Sequence, residues 1–155
     1  MQSLSRHLIT APRADATRDM KMHKAMTTSK SPSYQTPKWL YSKLDAEFKF
    51  NDDPCPLSDN GIDGLFREWG TRTFCNPPYG KHIGKWMMKA YLESQLGKLI
   101  VCLVPSRTDT IWWHEWIPKA QDVRFIKGRL TFEGQKNPAP FPSVIIIFAR
   151  LPLGI

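Results

Sequence analysis

Four consecutive residues, Asn76, Pro77, Pro78 and Tyr79, combine an amide, a stiffened turn and an aromatic ring. Each proline fixes φ, lacks a backbone donor and pushes the residue before it out of the α region. The Asn76 amide oxygen and the Pro77 carbonyl are both acceptors, and both sit on this rigid turn. Two acceptors converging on an exocyclic amino group take both of its hydrogens. The nitrogen lone pair is then drawn out of ring conjugation and aimed at an electrophile. The ring of Tyr79 offers a heterocycle a stacking face, worth roughly 1–3 kcal/mol per base. Asn and Pro also serve in plain stiff loops. The position of these four, after a short apolar strand and before a helical stretch, favours chemistry.

The rest of the composition says what kind of amine this would be. The chain has 155 residues, enough for one domain with a genuine core. A formal charge of +8 and a pI of about 9.6 call for a polyanionic partner or an acidic surface. Six Trp, four Tyr and eight Phe residues interleaved with Lys and Arg suit nucleic-acid bases better than lipid. A base inside a duplex reaches such a pocket only by flipping out, at a cost of a few kcal/mol that basic surface must offset. Cys55, Cys75 and Cys102 are far apart, so reduced, mostly buried thiols are expected rather than a zinc or disulfide framework. His7, His23, His82 and His114 have no metal spacing. No secretory leader is expected, and the apolar runs Leu99–Val104 and Val144–Ala149 are too short for a bilayer. The expectation is a soluble, cytoplasmic chain.

Elements must position the four residues. Residues 1–30 carry Arg6, Arg13, Arg18, Lys21, Lys24 and Lys30 against Asp15 and Asp19, half of the net charge with few apolar residues. They read as a basic, mobile arm. Ser31-Pro32-Ser33 marks the start of a domain over 31–155. Thr36 is the expected N-cap and Pro37 the first residue of a helix with Leu40 and Leu44 on its buried stripe. Phe48 and Phe50 alternate as a short strand does, and Asn60-Gly61 marks a polar turn. A short amphipathic piece, Leu65–Trp69, leads to the strand before Asn76. Ile83, Met87, Ala90, Tyr91 and Ser94 recur at helical spacing, with Gly97 as the stop. Leu99–Val104 reads as a strand buried on both faces. Trp112, Trp113, Trp116 and Ile117 form a helical aromatic patch that belongs mainly to the core. Val123 to Phe132 reads as one strand or two, and Val144–Ala149 is the last. Alternating strands and helices point to an α/β sandwich with a largely parallel sheet.

In such sheets ligands bind at the carboxyl ends of strands. Three turns are expected there: Asp53-Pro54-Cys55, Asn76 to Tyr79, and Pro105-Ser106-Arg107-Thr108. Arg107 and Arg129, each in or beside a turn, are the candidate DNA contacts. Lys81, His82, Lys85 and Lys89 suit phosphates or a solvated helix face equally.

Asn76 to Tyr79 resembles the catalytic motif of methyltransferases that act on amino groups of adenine, cytosine or glutamine. From about Gln35 to Ala149 the chain is similar to the compact phage and prophage DNA N-6-adenine methyltransferases. That similarity takes in Thr36-Pro37, Asp53-Pro54-Cys55, Leu103-Val104-Pro105 with Thr108 to Thr110 and Trp112, Gly128-Arg129 with Phe132, and Ala139, Phe141 and Ser143. The resemblance implies a compact, Rossmann-like class I methyltransferase sandwich with a mostly parallel sheet and a C-terminal antiparallel strand. It implies S-adenosyl-L-methionine as cofactor and DNA as partner. Asn76, Pro77, Pro78 and Tyr79 would be catalytic, and Thr36, Pro37, Asp53 and Pro54 would line the cofactor. Arg107, Thr108, Arg129, Phe141 and Ser143 would meet the substrate, with Phe141 and Ser143 closing the base pocket.

One departure from larger relatives is plain. Cys55-Pro56-Leu57-Ser58 stands where they carry a Gly-rich loop, and the acidic ribose ligand has only Asp59 or Asp63 as a substitute. That keeps a second class open, an inactive DNA-binding protein on the same scaffold. Cytosine-N4 and glutamine-N5 transfer remain as alternatives of the same chemistry; the positive charge disfavours a protein substrate.

Overall fold

The structure, a computed structural model, describes residues 9–12, 34–56 and 63–150. Their elements in chain order are β1 (Ile9–Thr10), α1 (Lys38–Phe48), β2 (Arg72–Cys75), α2 (Ile83–Gln95), β3 (Leu99–Pro105), α3 (Ile111–Trp116), β4 (Asp122–Lys127) and β5 (Ser143–Phe148). Short 3-10 turns occupy Asp63–Leu65 and Ile117–Lys119. The five strands form one sheet in the order β1-β4-β5-β3-β2.

The sheet is mixed: β1, β2, β3 and β4 all run one way and β5 runs against them. β1 with β4 and β2 with β3 are parallel ladders, while β3 with β5 and β4 with β5 are antiparallel. Connections explain the pattern. Parallel neighbours need a crossover, and α2 provides one between β2 and β3. No helix lies between β4 and β5, so the chain returns in the opposite direction and β5 inserts between β3 and β4. The expected antiparallel last strand is present, and it is the centre of the sheet. The Rossmann-like order is matched only in part.

One helix covers one face and two cover the other. Leu40 and Leu44 of α1, both buried, pack with Phe74, Val101, Leu103, Ile145, Ile147, Leu130 and Phe132. Truncating either leucine to alanine should cost about 2–5 kcal/mol. On the opposite face Ile83, Trp86, Met87 and Ala90 of α2 meet Ile100, Cys102, Val104, Val144, Ile146 and Phe148. β3 and β5 alternate their side chains between these two layers, which is why both read as unbroken apolar runs. Trp112, Trp113 and Trp116 of α3 pack half-buried against the second layer.

Several expected elements come out differently. Phe48 and Phe50 form no strand, because α1 runs on to Phe48 and Lys49 then turns the chain with a left-handed φ of 54°. The Lys49 N–H donates to the Asp45 carbonyl at 2.8 Å, and the Asp45 side chain accepts from Phe50 N–H at 3.0 Å. A single parallel bridge, Asp52 to Thr73, is what remains of strand character there. Thr36 is not the N-cap of α1. Pro37 holds that position, and the Glu133 carboxylate accepts from Lys38 N–H at 2.9 Å. Past β4, Gly128 takes a φ of 86° and the chain leaves the sheet, so Leu130 and Phe132 fill the core from a loop. Ile9 and Ala11, inside the stretch expected to be an arm, are buried at the sheet edge beside β4. Residues 1–8 and 13–30 and the Asn60-Gly61 turn lie outside the described residues. Among those described, no helix is long and apolar enough to cross a membrane.

Candidate active site

Parallel pairing brings the sequence-predicted turns to one edge. β2, β3 and β4 all run opposite to β5, so the ends at Cys75, Pro105 and Lys127 share an edge with the start of β5 at Ser143. The Asp52–Thr73 bridge aims the following Asp53-Pro54 turn at that same edge. Asn76 follows β2 directly, and Arg107, Thr108 and Arg129 follow β3 and β4 as exposed turn residues. Arg107 faces Asp109 at 3.8 Å, a solvent-screened pair. The Thr108 carbonyl lies 2.7 Å from Nε2 of His114. Of the four residues after the motif, Lys89 is not free for phosphate: it pairs with Glu93 at 2.7 Å.

Asn76 is oriented by two hydrogen bonds that sequence spacing does not reveal. Its Nδ2 donates to the Tyr34 carbonyl at 2.6 Å and to Thr36 Oγ1 at 3.0 Å. Both amide hydrogens are thereby used, which fixes which way the amide faces. Its Oδ1 is buried with no hydrogen-bond partner. Leaving a buried acceptor unpaired costs about 1–3 kcal/mol. Among the described residues only one other buried side-chain atom is in that state, Oγ of Ser143. Ser143 pairs with Pro105 across the ladder, and two residues before Ile145 it faces the α1 layer. Such orphans are expected where a ligand completes the bonding.

The aromatic half of the site lies in the α1 layer too. Tyr79 stacks on Tyr34 with centroids 5.1 Å apart and planes 25° apart. Phe132 and Phe141 meet Tyr79 edge-on at 6.2 and 5.6 Å. The Tyr79 hydroxyl donates to the Leu103 carbonyl at 3.4 Å. Burial, then the neighbouring Cys75 and Tyr34, push the Tyr79 phenol well above its ordinary pKa, so it stays neutral. Burial does the same to the Cys75 thiol beside the motif.

The acidic-Pro turn is anchored from outside. Asp52 accepts from both Arg67 guanidinium nitrogens, at 2.8 and 2.9 Å, and from Gly70 N–H at 2.8 Å. Burial raises the Asp52 pKa, but the hydrogen bonds from Arg67 and Gly70 outweigh it and the net shift is downward. Gly64 completes the seat, since a side chain there would collide with the Pro54 carbonyl and with Trp86. Asp53 differs from its neighbour. Its Oδ1 accepts from Cys55 N–H at 2.9 Å, and among the described residues it has no salt bridge. Desolvation raises its pKa, and the charge of Asp52 adds to that. A carboxylate in that condition gains from a cationic ligand group, so the donor set fits the ammonium of an amino-acid-bearing cofactor. The Thr36 hydroxyl oxygen accepts from Asn76.

A family model for DNA N-6-adenine-methyltransferase (Dam) matches residues 24–151. The chain belongs to the Dam family. No curated protein and no solved structure matches it. Within this Dam-family chain the matched span includes every element described from α1 to β5 and all of the residues gathered at the sheet edge.

Of the residues expected from the sequence, Asn76, Tyr79, Phe141 and Ser143 come together at this edge, and the geometry adds three that were not expected. Tyr34 lies 42 residues from the asparagine it holds, a separation at which no local spacing carries information. Asp52 and Arg67 form the clamp beneath Asp53, where an Asp-Asp pair ahead of Pro54 was the available signal.

Proposed function

We propose that this chain is an S-adenosyl-L-methionine-dependent DNA methyltransferase that modifies the N6 amino group of adenine. The observation that carries the reading is the buried, partnerless Oδ1 of Asn76, fixed in direction by the two bonds its amide nitrogen makes. Placed against an adenine amino group, that oxygen and the Pro77 carbonyl would accept its two hydrogens. The lone pair of N6 would then leave conjugation with the ring and become nucleophilic. Pro78 keeps the turn rigid. The Tyr79 ring would stack the flipped base, and Phe141 and Ser143 would close the pocket. S-adenosyl-L-methionine, held by Pro37, Asp53 and Pro54, would supply an electrophilic methyl group. A strong general base is not needed, because positioning and desolvation supply most of the rate. Thr36 orients Asn76 through its hydroxyl oxygen and would line the cofactor beside Pro37.

The fold we read as a compact class I methyltransferase sandwich formed by residues 31–155 with β1 added at its edge. The basic residues between 13 and 30, with Arg107 and Arg129, would neutralise DNA phosphates. Such a substrate and cofactor place the protein in the cytoplasm.

The decisive test is expression in bacteria that lack adenine methylation, followed by mapping of modified bases. N6-methyladenine at a defined sequence is the expected result. Its absence, together with normal calorimetric binding of S-adenosylhomocysteine and DNA, would make the chain an inactive DNA-binding scaffold instead. Cytosine modification would reassign the base.

A further inference from the structure

Tyr34 sits where the proposed base would stack. Its ring lies flat against Tyr79 at 5.1 Å, and Phe132 and Phe141 close on it edge-first at 5.1 and 5.2 Å. A heterocycle inserted between two flat rings needs two stacking separations of about 3.4 Å, or roughly 7 Å in total. The space between Tyr34 and Tyr79 is therefore closed to a third ring.

The backbone and the side chain of Tyr34 are held very differently. The carbonyl accepts from Asn76 Nδ2 at 2.6 Å. The adjoining backbone is pinned by the Gln35–Glu133 bridge, where Glu133 N–H donates to the Gln35 carbonyl at 3.0 Å. The ring, by contrast, is held by apolar and aromatic packing, and among the described residues its hydroxyl has no hydrogen-bond partner. It is half-buried rather than enclosed. A side-chain rotation can therefore move the ring out while the carbonyl keeps Asn76 oriented.

We propose that the Tyr34 ring is a stand-in for the target base, filling the aromatic box in the empty enzyme and giving way when a flipped adenine enters. The inference rests on the methyltransferase reading above. The occupied box keeps Tyr79, Phe132 and Phe141 packed and dry between turnovers. Entry of the base exchanges one stacked ring for another, so the incoming adenine gains less than it would from an open box. Tyr34 thus gates entry as a positioning residue and takes no part in bond making.

Methyl-transfer kinetics on plasmid DNA lacking adenine methylation test this directly. A protein that must vacate its own site binds more weakly by the fraction of molecules that are open. Tyr34→Ala should therefore lower KM for DNA roughly five-fold and raise kcat/KM by a similar factor. Tyr34→Phe, which keeps the ring, should show a higher KM than Tyr34→Ala by about that amount. If Tyr34 instead forms a second wall that sandwiches the base, the ring becomes a binding group, and Tyr34→Ala would raise KM and lower kcat/KM. That outcome overturns the proposal, as does an equal KM for all three proteins. Should circular dichroism show Tyr34→Ala unfolded, Tyr34→Leu removes the flat ring while keeping an apolar body, and its KM should shift in the same direction. A wild-type chain that transfers no methyl group overturns the methyltransferase reading. An active wild type with the wrong sign for Tyr34→Ala overturns the gate alone.

Discussion

The two ends of β3 bury polar groups in opposite ways. At the leading end, Lys98 is 8% exposed and all three of its donors are used. Its Nζ donates to Glu93 Oε2 at 2.6 Å, to the Trp69 carbonyl at 2.7 Å and to Glu68 Oε1 at 3.2 Å. Glu93 is satisfied in turn by Lys89 at 2.7 Å. At the trailing end, level with Leu103 to Pro105, Asn76 Oδ1 and Ser143 Oγ are buried with nothing to bond. Buried polar groups are ordinarily paired because an unpaired one forfeits its hydration. The complete network holds α2 and the Glu68–Trp69 segment to the sheet. The incomplete one costs stability at the edge where Asn76, Ser143 and the Asp53-Pro54 turn gather.

Breaking the complete end should give the largest effect. Lys98→Met leaves the Glu93 carboxylate with Lys89 as its remaining partner and strips the Trp69 carbonyl of its donor, and should cost about 2–3 kcal/mol, seen as a lower denaturation midpoint. Replacing Glu93 by leucine as well should recover most of it, since a buried pair exchanged for apolar residues is often neutral. The network also has a pH signature. Burial pushes Glu93 up, but Lys89 and Lys98 outweigh it and its pKa is lowered. Its stabilisation is therefore full above the unfolded carboxylate pKa and lost as pH falls through the depressed folded value. Burial likewise pushes Lys98 down, yet Glu93 and Glu68 prevail and its pKa is raised. That contribution is present below the unfolded lysine pKa and lost as pH rises through the folded value.

The open end should respond in activity instead. On the proposed mechanism Asn76→Ala would remove the acceptor for the reacting amine and should lower kcat about 10²–10³-fold, as loss of a single preorganised group does elsewhere. Non-specific DNA binding, followed by gel shift, should hardly change. Ser143→Ala sharpens the comparison further. Removing an orphan hydroxyl should raise stability by about 1–3 kcal/mol, less whatever packing the lost atom supplied. It should slow methyl transfer roughly three- to tenfold, the worth of one neutral hydrogen bond. A Ser143→Ala protein that loses stability and keeps full activity would make that hydroxyl structural. The smallest effect expected concerns Asp53. Its pKa is raised by desolvation, so cofactor affinity should begin to weaken on acidification at a higher pH than an ordinary aspartate would give. Calorimetric titration with S-adenosylhomocysteine across that range should show the loss, and Asp53→Asn should flatten the profile.

Much of this was legible in the chain because it depends on local order. Leu40 and Leu44 four residues apart marked the buried stripe of α1, and both are fully buried. The run from Leu99 to Val104 marked a strand covered on both faces, which it is. Gly97, expected to stop α2, has a φ of 89° just past the helix end. The strand expected at Phe48 and Phe50 failed because alternation over three residues cannot be told from the tail of a helix. Lys49, in a left-handed turn without glycine, gave no sign of itself. The central place of β5 was missed for a related reason: hydrophobicity shows that β5 is buried on both sides, but not which strands flank it.

The sequence by itself determined the chemistry on offer: an amide on a double-proline turn, an aromatic ring beside it, an acidic turn upstream and a basic surface. Those follow from residue type and short spacing, and residue type does not change on folding. Only the tertiary structure decided how the groups are aimed. The amide nitrogen of Asn76 is consumed by Tyr34 and Thr36, about forty residues away, so its oxygen alone is left to accept. The ring of Tyr34 lies over Tyr79 because α1, the Gln35–Glu133 bridge and the Phe132 loop converge there. Hydrogen-bond direction and stacking depend on contacts between distant segments, and those contacts exist only once the chain has folded.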